Sequence, residues 1–203
     1  MTRGVFITFE GGEGSGKSTQ ARRLAELHGA LLTRQPGGTE IGAQIRELLL
    51  SPDTHGLSLR AEALLMAADR AQHVLELIEP TLATGTHVIC DRYMASSIAY
   101  QGAGRALGVD EVGALSAFAI DGLVPDLTVL LDVPAEVGLA RIDGPPDRLE
   151  QLDIDFHNKV RQCFIELAKA DPDRWFVADA TQPIEAISAQ LDALVAERFG
   201  WVA

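Results

Sequence analysis

The sequence predicts an α/β fold in three layers, a five-stranded parallel sheet between two layers of helices. Three observations lead there. Short apolar runs rich in β-branched residues alternate with longer amphipathic stretches. The runs are nearly continuous in their apolar character, as strands buried on both faces must be. No internal repeat, low-complexity tract or linker breaks the series, so residues 1–203 are expected to form one domain.

The elements follow in order. A strand is expected over Val5–Glu10, then a glycine-rich turn and a helix over Lys17–Leu27. A second strand, Ala30–Thr33, leads to a helix over Ile41–Leu50, and the period of 3.6 over Leu59–Ala83 predicts one long helix. The third strand is His87–Asp91, followed by a helix over Val109–Asp121. Leu127–Val133 is the fourth strand, with helices over Ala135–Arg141 and Asp153–Ala170. Trp175–Ala178 and a helix over Ile184–Phe199 complete the series. Gly144, Pro145 and Pro146 form the most loop-like segment of the second half, and it falls between helices.

Composition narrows the function. Apolar residues make up 47% of 203, enough for a sizeable core. With 17 basic and 29 acidic residues the net charge is −12, which argues against holding nucleic acid or an anionic membrane by bulk electrostatics. Any polyanionic ligand must be met by a local cluster of cations and backbone N–H groups. Cys90 and Cys163 have neither disulfide nor metal spacing and read as buried free thiols. No apolar run approaches the roughly 20 residues of a membrane span, and Met1 to Gly4 lead directly toward the first strand without a secretory pattern. A cytoplasmic location is expected.

In open parallel sheets ligands bind at the carboxyl ends of the strands. Gly11, Gly12, Glu13, Gly14, Ser15, Gly16, Lys17 and Ser18, followed by Thr19, stand at the first such end. They match the phosphate-binding loop, with four free positions between the first glycine and Gly-Lys-Ser. Glycines let consecutive N–H groups turn inward around phosphate oxygens, and the following helix adds its positive end. Lys17 is suited to the β/γ-phosphates and Ser18 to Mg²⁺. A GTP switch would need an Asn-Lys-x-Asp base reader, but Asn158 and Lys159 are followed by Val160 and Arg161 in mid-helix. Arg34 and Arg92 come immediately after the second and third strands, where a kinase holding two anionic substrates needs cations. Arg46 and Arg70 lie on the helices between, and Arg141 and Arg148 flank the Gly-Pro-Pro loop.

The stretches Phe9–Thr19, Thr33–Thr39, Ala68–His73, Asp91–Gly102 and Asp179–Pro183 together resemble the thymidylate kinase family in its bacterial form. The resemblance implies a P-loop kinase fold with a short lid at about residues 142–152. It also implies transfer of a phosphoryl group from ATP to thymidine monophosphate with Mg²⁺, and a homodimer. It carries roles to particular residues. Lys17, Ser18 and the rest of Gly11–Thr19 would serve ATP, with Arg141 stacked on adenine and Asp179–Pro183 beside it. Ser18 and Asp91, partly through water, would hold the metal. Glu13 would face the 3′-hydroxyl, and Arg34 and Arg92 would grip the acceptor phosphate. Arg70, Ser97 and Gln101 would read thymine, with Tyr100 beside the sugar and Arg46 approaching the base.

Three departures from the family stand out. Met66 occupies a position where Phe is common, which loosens the stacking surface for the base. Gln35 replaces a usual Glu, removing a charge near the metal. Neither the phosphate loop nor most of the lid carries an arginine, so Arg148 is assigned the transferred phosphoryl by elimination. Two alternatives stay open at this point: a kinase for another deoxynucleoside monophosphate, and a nucleotide-binding regulator without catalysis. The long apolar faces of Leu59–Ala83 and Val109–Asp121 predict that one packs in the core and the other meets a partner.

Overall fold

A computed structural model describes residues 2–201; Met1, Val202 and Ala203 lie outside the described residues. Its sheet is five-stranded, with β1 (Phe6–Glu10), β2 (Leu31–Arg34), β3 (Val88–Asp91), β4 (Leu127–Asp132) and β5 (Trp175–Asp179) in the order β2-β3-β1-β4-β5. Every neighbouring pair is parallel. The central strand β1 is buried at all five positions, which explains its unbroken apolar reading. Each strand end lies within a residue of its expected place.

Alternation along the strands builds the two faces. Ile7, Phe9, Ile89, Leu127, Val129 and Leu131 pack against α1 (Lys17–His28) and α9 (Ile184–Phe199) through Leu24, Leu191 and Val195. On the other face, Leu130 joins Phe156, Val160 and Phe164 of α8 (Ile154–Ala170). Phe6, Val88 and Cys90 meet Val74, Ile78, Leu82 and Ile120 there as well. Burial at these positions, worth about 1.5–3 kcal/mol for each large side chain, holds the three layers together.

Caps set several helix starts. Thr39 accepts from Gly42 N at 3.0 Å to open α2 (Glu40–Leu50), Ser58 from Ala61 N at 3.2 Å to open α3 (Leu59–His73), and Asp153 from Phe156 N at 2.8 Å to open α8. The long helix expected over Leu59–Ala83 is interrupted: α3 passes into a π-helical stretch, Val74–Ile78, and then α4 (Glu79–Ala83). After β3 a further helix was not expected, α5 (Met94–Ser97) continuing as a π-helical stretch Ile98–Gly104. Ala95, Ser97, Ile98, Ala99, Tyr100, Gln101 and Gly102 are all buried, so the segment has no solvent face to impose a period on its sequence. Then come α6 (Val109–Ile120) and α7 (Ala135–Leu139).

The expectation that only one of two long apolar helices belongs to the core is corrected. Both do, through Ala63, Met66 and Ala67 on α3 and Val112, Ala119 and Ile120 on α6. Both also leave apolar groups outside: Leu64 on α3, Leu75 just beyond it, and Phe118 on α6 at 86% exposure.

The turn after β1 sits against α7 at backbone contact. A Cβ on Gly14 would stand 1.9 Å from Gly138 O, and one on Gly138 would stand 2.2 Å from Glu13 O. Gly138→Ala should therefore lower stability by about 1–3 kcal/mol. Gly113→Ala, inside α6 with nothing within 4 Å of the added carbon, should raise it by about 0.5–1 kcal/mol. Urea unfolding of the two variants, identical in chemistry and opposite in sign, checks both.

Candidate active site

A cleft of about 350 Å³ opens at the carboxyl ends of β1, β2 and β3. Glu13 through Thr19, Arg34, Arg46, Met66, Arg70, Asp91, Arg92, Ser97, Tyr100 and Gln101 all line it. The sequence-predicted residues thus converge on one space, apart from Gly11, Gly12, Arg141 and Arg148.

Its floor is the turn between β1 and α1. Gly16 takes φ 87°, and nothing lies within 4 Å of where its Cβ would be. That leaves backbone N–H groups and the amino end of α1 facing open volume, the geometry that suits a phosphate. Lys17 Nζ folds back over the loop, donating to Gly12 O at 2.6 Å and Ser15 Oγ at 3.2 Å. Burial and the neighbouring Arg92 push its pKa down to about 8. The Ser18 hydroxyl, in the first turn of α1, donates to Asp91 Oδ2 at the end of β3. A hydroxyl beside a carboxylate, both hard oxygen donors, is a donor set that fits Mg²⁺ retaining several waters. Among the described residues no group of three or more His, Cys, Asp and Glu forms a self-contained metal cage.

Arg92 forms one wall. Its φ of 68° lies in the left-handed region that side chains avoid, and this turn out of β3 carries the guanidinium back over the loop. Nη1 donates to Gly11 O at 3.0 Å and Ser96 Oγ at 3.2 Å, and Nη2 to Glu13 Oε1 at 2.8 Å. The group lies 5.0 Å from the centre of the Tyr100 ring, whose hydroxyl also donates to Glu13. Burial raises the Glu13 pKa, but Arg92, Lys17 and the Tyr100 hydroxyl outweigh it and hold the carboxyl near 2. Arg34, exposed at the end of β2, makes no hydrogen bond with another described side chain. Arg46 Nη1 donates to Pro36 O at 2.9 Å.

The inner end is a buried polar network. Arg70, 2% exposed, donates from Nε to Gln35 Oε1 at 3.0 Å and from Nη2 to Tyr93 O at 3.2 Å and Ser97 Oγ at 2.9 Å. Its Nη1 has no partner. Gln35 thus bonds to Arg70 and, through Nε2, to His73 Nδ1 at 3.0 Å, a structural role beyond the absence of charge expected from the sequence. Met66 lies one helical turn before Arg70 and faces the same volume. Gln101 Nε2 donates to Glu62 Oε1 at 3.0 Å.

Arg148 departs from its expected place. Its Nε donates to Leu49 O at 2.7 Å and its Nη2 to Glu62 Oε2 at 2.7 Å, so its charge is committed to a buried carboxylate and it does not line the cleft. The segment around it does reach the cleft through Asp147, Leu149 and Glu150. Arg141 lies outside, bridging toward Ala180 O at 2.9 Å and Gly14 O at 3.5 Å, which joins the phosphate loop to the loop after β5.

Sequence reasoning missed Glu10, Glu62, Asp69 and Ser96. Glu10, fully buried at the end of β1, accepts from Tyr93 N at 2.9 Å, Ser96 N at 3.3 Å and Ser96 Oγ at 2.6 Å, and so anchors the start of α5. Glu62 had a signal: Glu62, Met66 and Arg70 are spaced by four, which puts a carboxylate on the apolar face of α3. Asp69 had none beyond its neighbour Arg70.

A parallel sheet of this order, a phosphate loop between its central strand and first helix, and a facing wall of arginines define a P-loop kinase. The model for thymidylate kinase matches residues 9–191. A thymidylate kinase of Deinococcus radiodurans is 47% identical over 205 residues, covering 98% of this chain and 99% of its own length. One from Cutibacterium acnes is 52% identical over 190 residues, covering 91% and 93%. The crystal structure of thymidylate kinase from Ehrlichia chaffeensis superposes with a TM-score of 0.76 at 34% identity, covering 95% of this chain and 99% of that one. The chain belongs to the thymidylate kinase family.

Two buried groups of the inner end should oppose one another as pH changes. Burial, with Arg70 adding to it, lowers the His73 pKa from 6.5 to about 4, so the unfolded chain takes up that proton first and stability falls as pH drops from about 6.5 to 4. Burial raises Asp69 from 3.8 to about 6, so its contribution runs the other way, rising as pH drops through 6 toward 4. Each is on the order of 3 kcal/mol in full. Relative to the parent, Asp69→Asn should lose stability more steeply toward pH 4, and His73→Gln should lose it less steeply. Urea melts at pH 7, 5.5 and 4 read the sign directly.

Proposed function

We propose that this chain transfers the terminal phosphoryl group of ATP to thymidine monophosphate, giving ADP and thymidine diphosphate. The observation that carries the proposal is the single cleft with a phosphate loop on one side and two arginines at strand ends, Arg34 and Arg92, on the other. ATP lies with its phosphates on Gly11–Thr19 and Lys17 at the β/γ end, its adenine toward Arg141 and the loop after β5. The acceptor's phosphate oxygen attacks the γ-phosphorus, the bond from that phosphorus to the β–γ bridging oxygen breaks, and ADP leaves. Little covalent help is required; alignment and neutralisation of charge dominate.

Arg92 and Arg34 hold the acceptor phosphate in line. Lys17 and Arg92, rather than Arg148, supply the positive charge nearest the transferred group, because Arg148 is occupied by Glu62. Ser18 and Asp91 would hold Mg²⁺, which when bound neutralises the phosphate oxygens of ATP. Glu13 and Tyr100 face the sugar, and Arg70, Ser97 and Gln101 the base, with Met66 packed on the ring and Arg46 at the entrance. One domain over residues 1–203 is supported by a sheet whose strands run from Phe6 to Asp179. Among the described residues no helix is long and apolar enough to cross a membrane; a cytoplasmic location without membrane or nucleic-acid partners is part of the same proposal, and the net charge of −12 supports it. The exposed Leu64, Leu75 and Phe118, on helices that pack together, supply the apolar face of a homodimer.

The test is ADP release from ATP and Mg²⁺ with TMP, dUMP, dCMP, AMP and dGMP as acceptors. Turnover is expected with TMP and, more weakly, dUMP; fast turnover confined to another nucleotide overturns the assignment. Arg92→Met should lower kcat by about 100-fold or more, as loss of a transition-state donor does. Sedimentation of Phe118→Lys should show a shift from dimer toward monomer, and an unshifted dimer would remove this face as the interface.

A further inference from the structure

Glu62 has no exposed surface, and nothing in the phosphoryl transfer calls for it. Its Oε1 accepts from Gln101 Nε2 at 3.0 Å and Arg105 Nε at 3.3 Å, and its Oε2 from Arg105 Nη2 at 3.1 Å and Arg148 Nη2 at 2.7 Å. A carboxylate so deep would be costly alone. Burial acts to raise its pKa, but the hydrogen bonds from Gln101, Arg105 and Arg148 outweigh this and lower it. The group is ionised.

An ionised carboxylate has acceptors only. Gln101 must therefore turn its NH₂ toward Glu62, since the reverse orientation sets oxygen against oxygen. Its carbonyl Oε1 is then left to the cleft, which Gln101 lines. Arg70 lines the same end, pinned by three hydrogen bonds with Nη1 unpartnered. An arginine can only donate. The inner end is thus lined by an amide held to accept and by an arginine that can only donate.

We infer that Glu62 is a positioning residue that sets nucleobase specificity: it holds the Gln101 amide in the orientation that accepts from a ring N–H, and so favours thymine and uracil over cytosine. Thymine and uracil offer an N3–H donor beside the O4 acceptor. Cytosine offers the opposite pair, an N3 acceptor beside a 4-amino donor. Glu62 never touches the base. Arg105 and Arg148 serve it by keeping it charged, and Arg148 brings the segment 142–152 onto the same carboxylate. The inference rests on the proposed function, because it requires the base to lie against Gln101 and Arg70.

The experiment compares kcat/KM for TMP and dCMP in the parent and in Glu62→Gln. A neutral amide at 62 can present either oxygen or NH₂ to Gln101, so both orientations of Gln101 become populated. The preference for TMP over dCMP should shrink by about tenfold or more, through a higher KM for TMP, with the KM for ATP within about twofold of the parent. A residue that only stabilises the fold would lower Tm and leave the preference unchanged, and that result overturns the inference. If Glu62→Gln does not accumulate folded, Glu62→Asp decides by the same ratio. It keeps the charge for Arg105 and Arg148 but withdraws the carboxylate from Gln101. A parent that does not prefer TMP to dCMP overturns the proposed function along with the inference; a parent that does, with both variants unchanged, overturns the inference alone.

Discussion

The cleft brings charged groups from several strand and helix ends close together, and the most buried of them are held by hydrogen-bonding partners. Lys17, Arg70 and Arg92 converge there, in a chain whose net charge is −12. Glu13 meets Arg92, Asp91 meets Ser18, and Glu10 holds the elbow from which Arg92 emerges. Like charges a few ångströms apart would repel strongly in such surroundings. The alternation of cation and anion around the cleft lets the phosphate loop and the acceptor wall approach each other, and the rest of the fold positions these ends.

The sheet order supplies the approach. With β1 between β3 and β4, the loops leaving β1 and β3 are adjacent, and residues 79 to 83 positions apart in the chain become hydrogen-bonded neighbours, as Glu13 and Gly11 do with Arg92 and Glu10 with Tyr93. The left-handed turn at Arg92 has its cost, on the order of 1–3 kcal/mol. It is offset by the bonds from Arg92 to Gly11 O, Ser96 Oγ and Glu13, and by its packing on Tyr100. Gly14 and Gly138 set the other boundary, fixing the phosphate loop against α7 by direct backbone contact.

Much of this was legible in the sequence, and the failures have physical causes. Buried strands announce themselves by apolar runs, and all five were found. Glycines before Lys17 announce an anion site because backbone N–H groups need room. The segment Met94–Gly104 was opaque because burial on every side erases the helical period. Arg148 was misplaced for a different reason. It lies in the expected lid segment, but elimination among the arginines of loop and lid takes no account of partners, and its position depends on Glu62, 86 residues away, and on Leu49 O. Long-range partners of a charge leave no trace in local spacing. Glu62 was nevertheless within reach, since a carboxylate on an apolar helical face must find cations somewhere.

Gln35 shows how one such partner fixes a chain of others. Arg70 Nε can only donate, so it takes Gln35 Oε1 and leaves Gln35 Nε2 to donate to His73 Nδ1. His73 then accepts at Nδ1, carries its proton on Nε2, and donates it to Thr33 Oγ1 at 2.7 Å. A glutamate in place of Gln35 could accept from Arg70 but could not donate to His73, and would favour a protonated imidazole instead. The amide therefore matches a neutral histidine, which burial and Arg70 also favour. It leaves Arg70 without a directly bonded carboxylate, and its Nη1 is buried without a hydrogen-bond partner. Gln35 therefore sets the partners of both Arg70 and His73, and with them the neutral state of the imidazole.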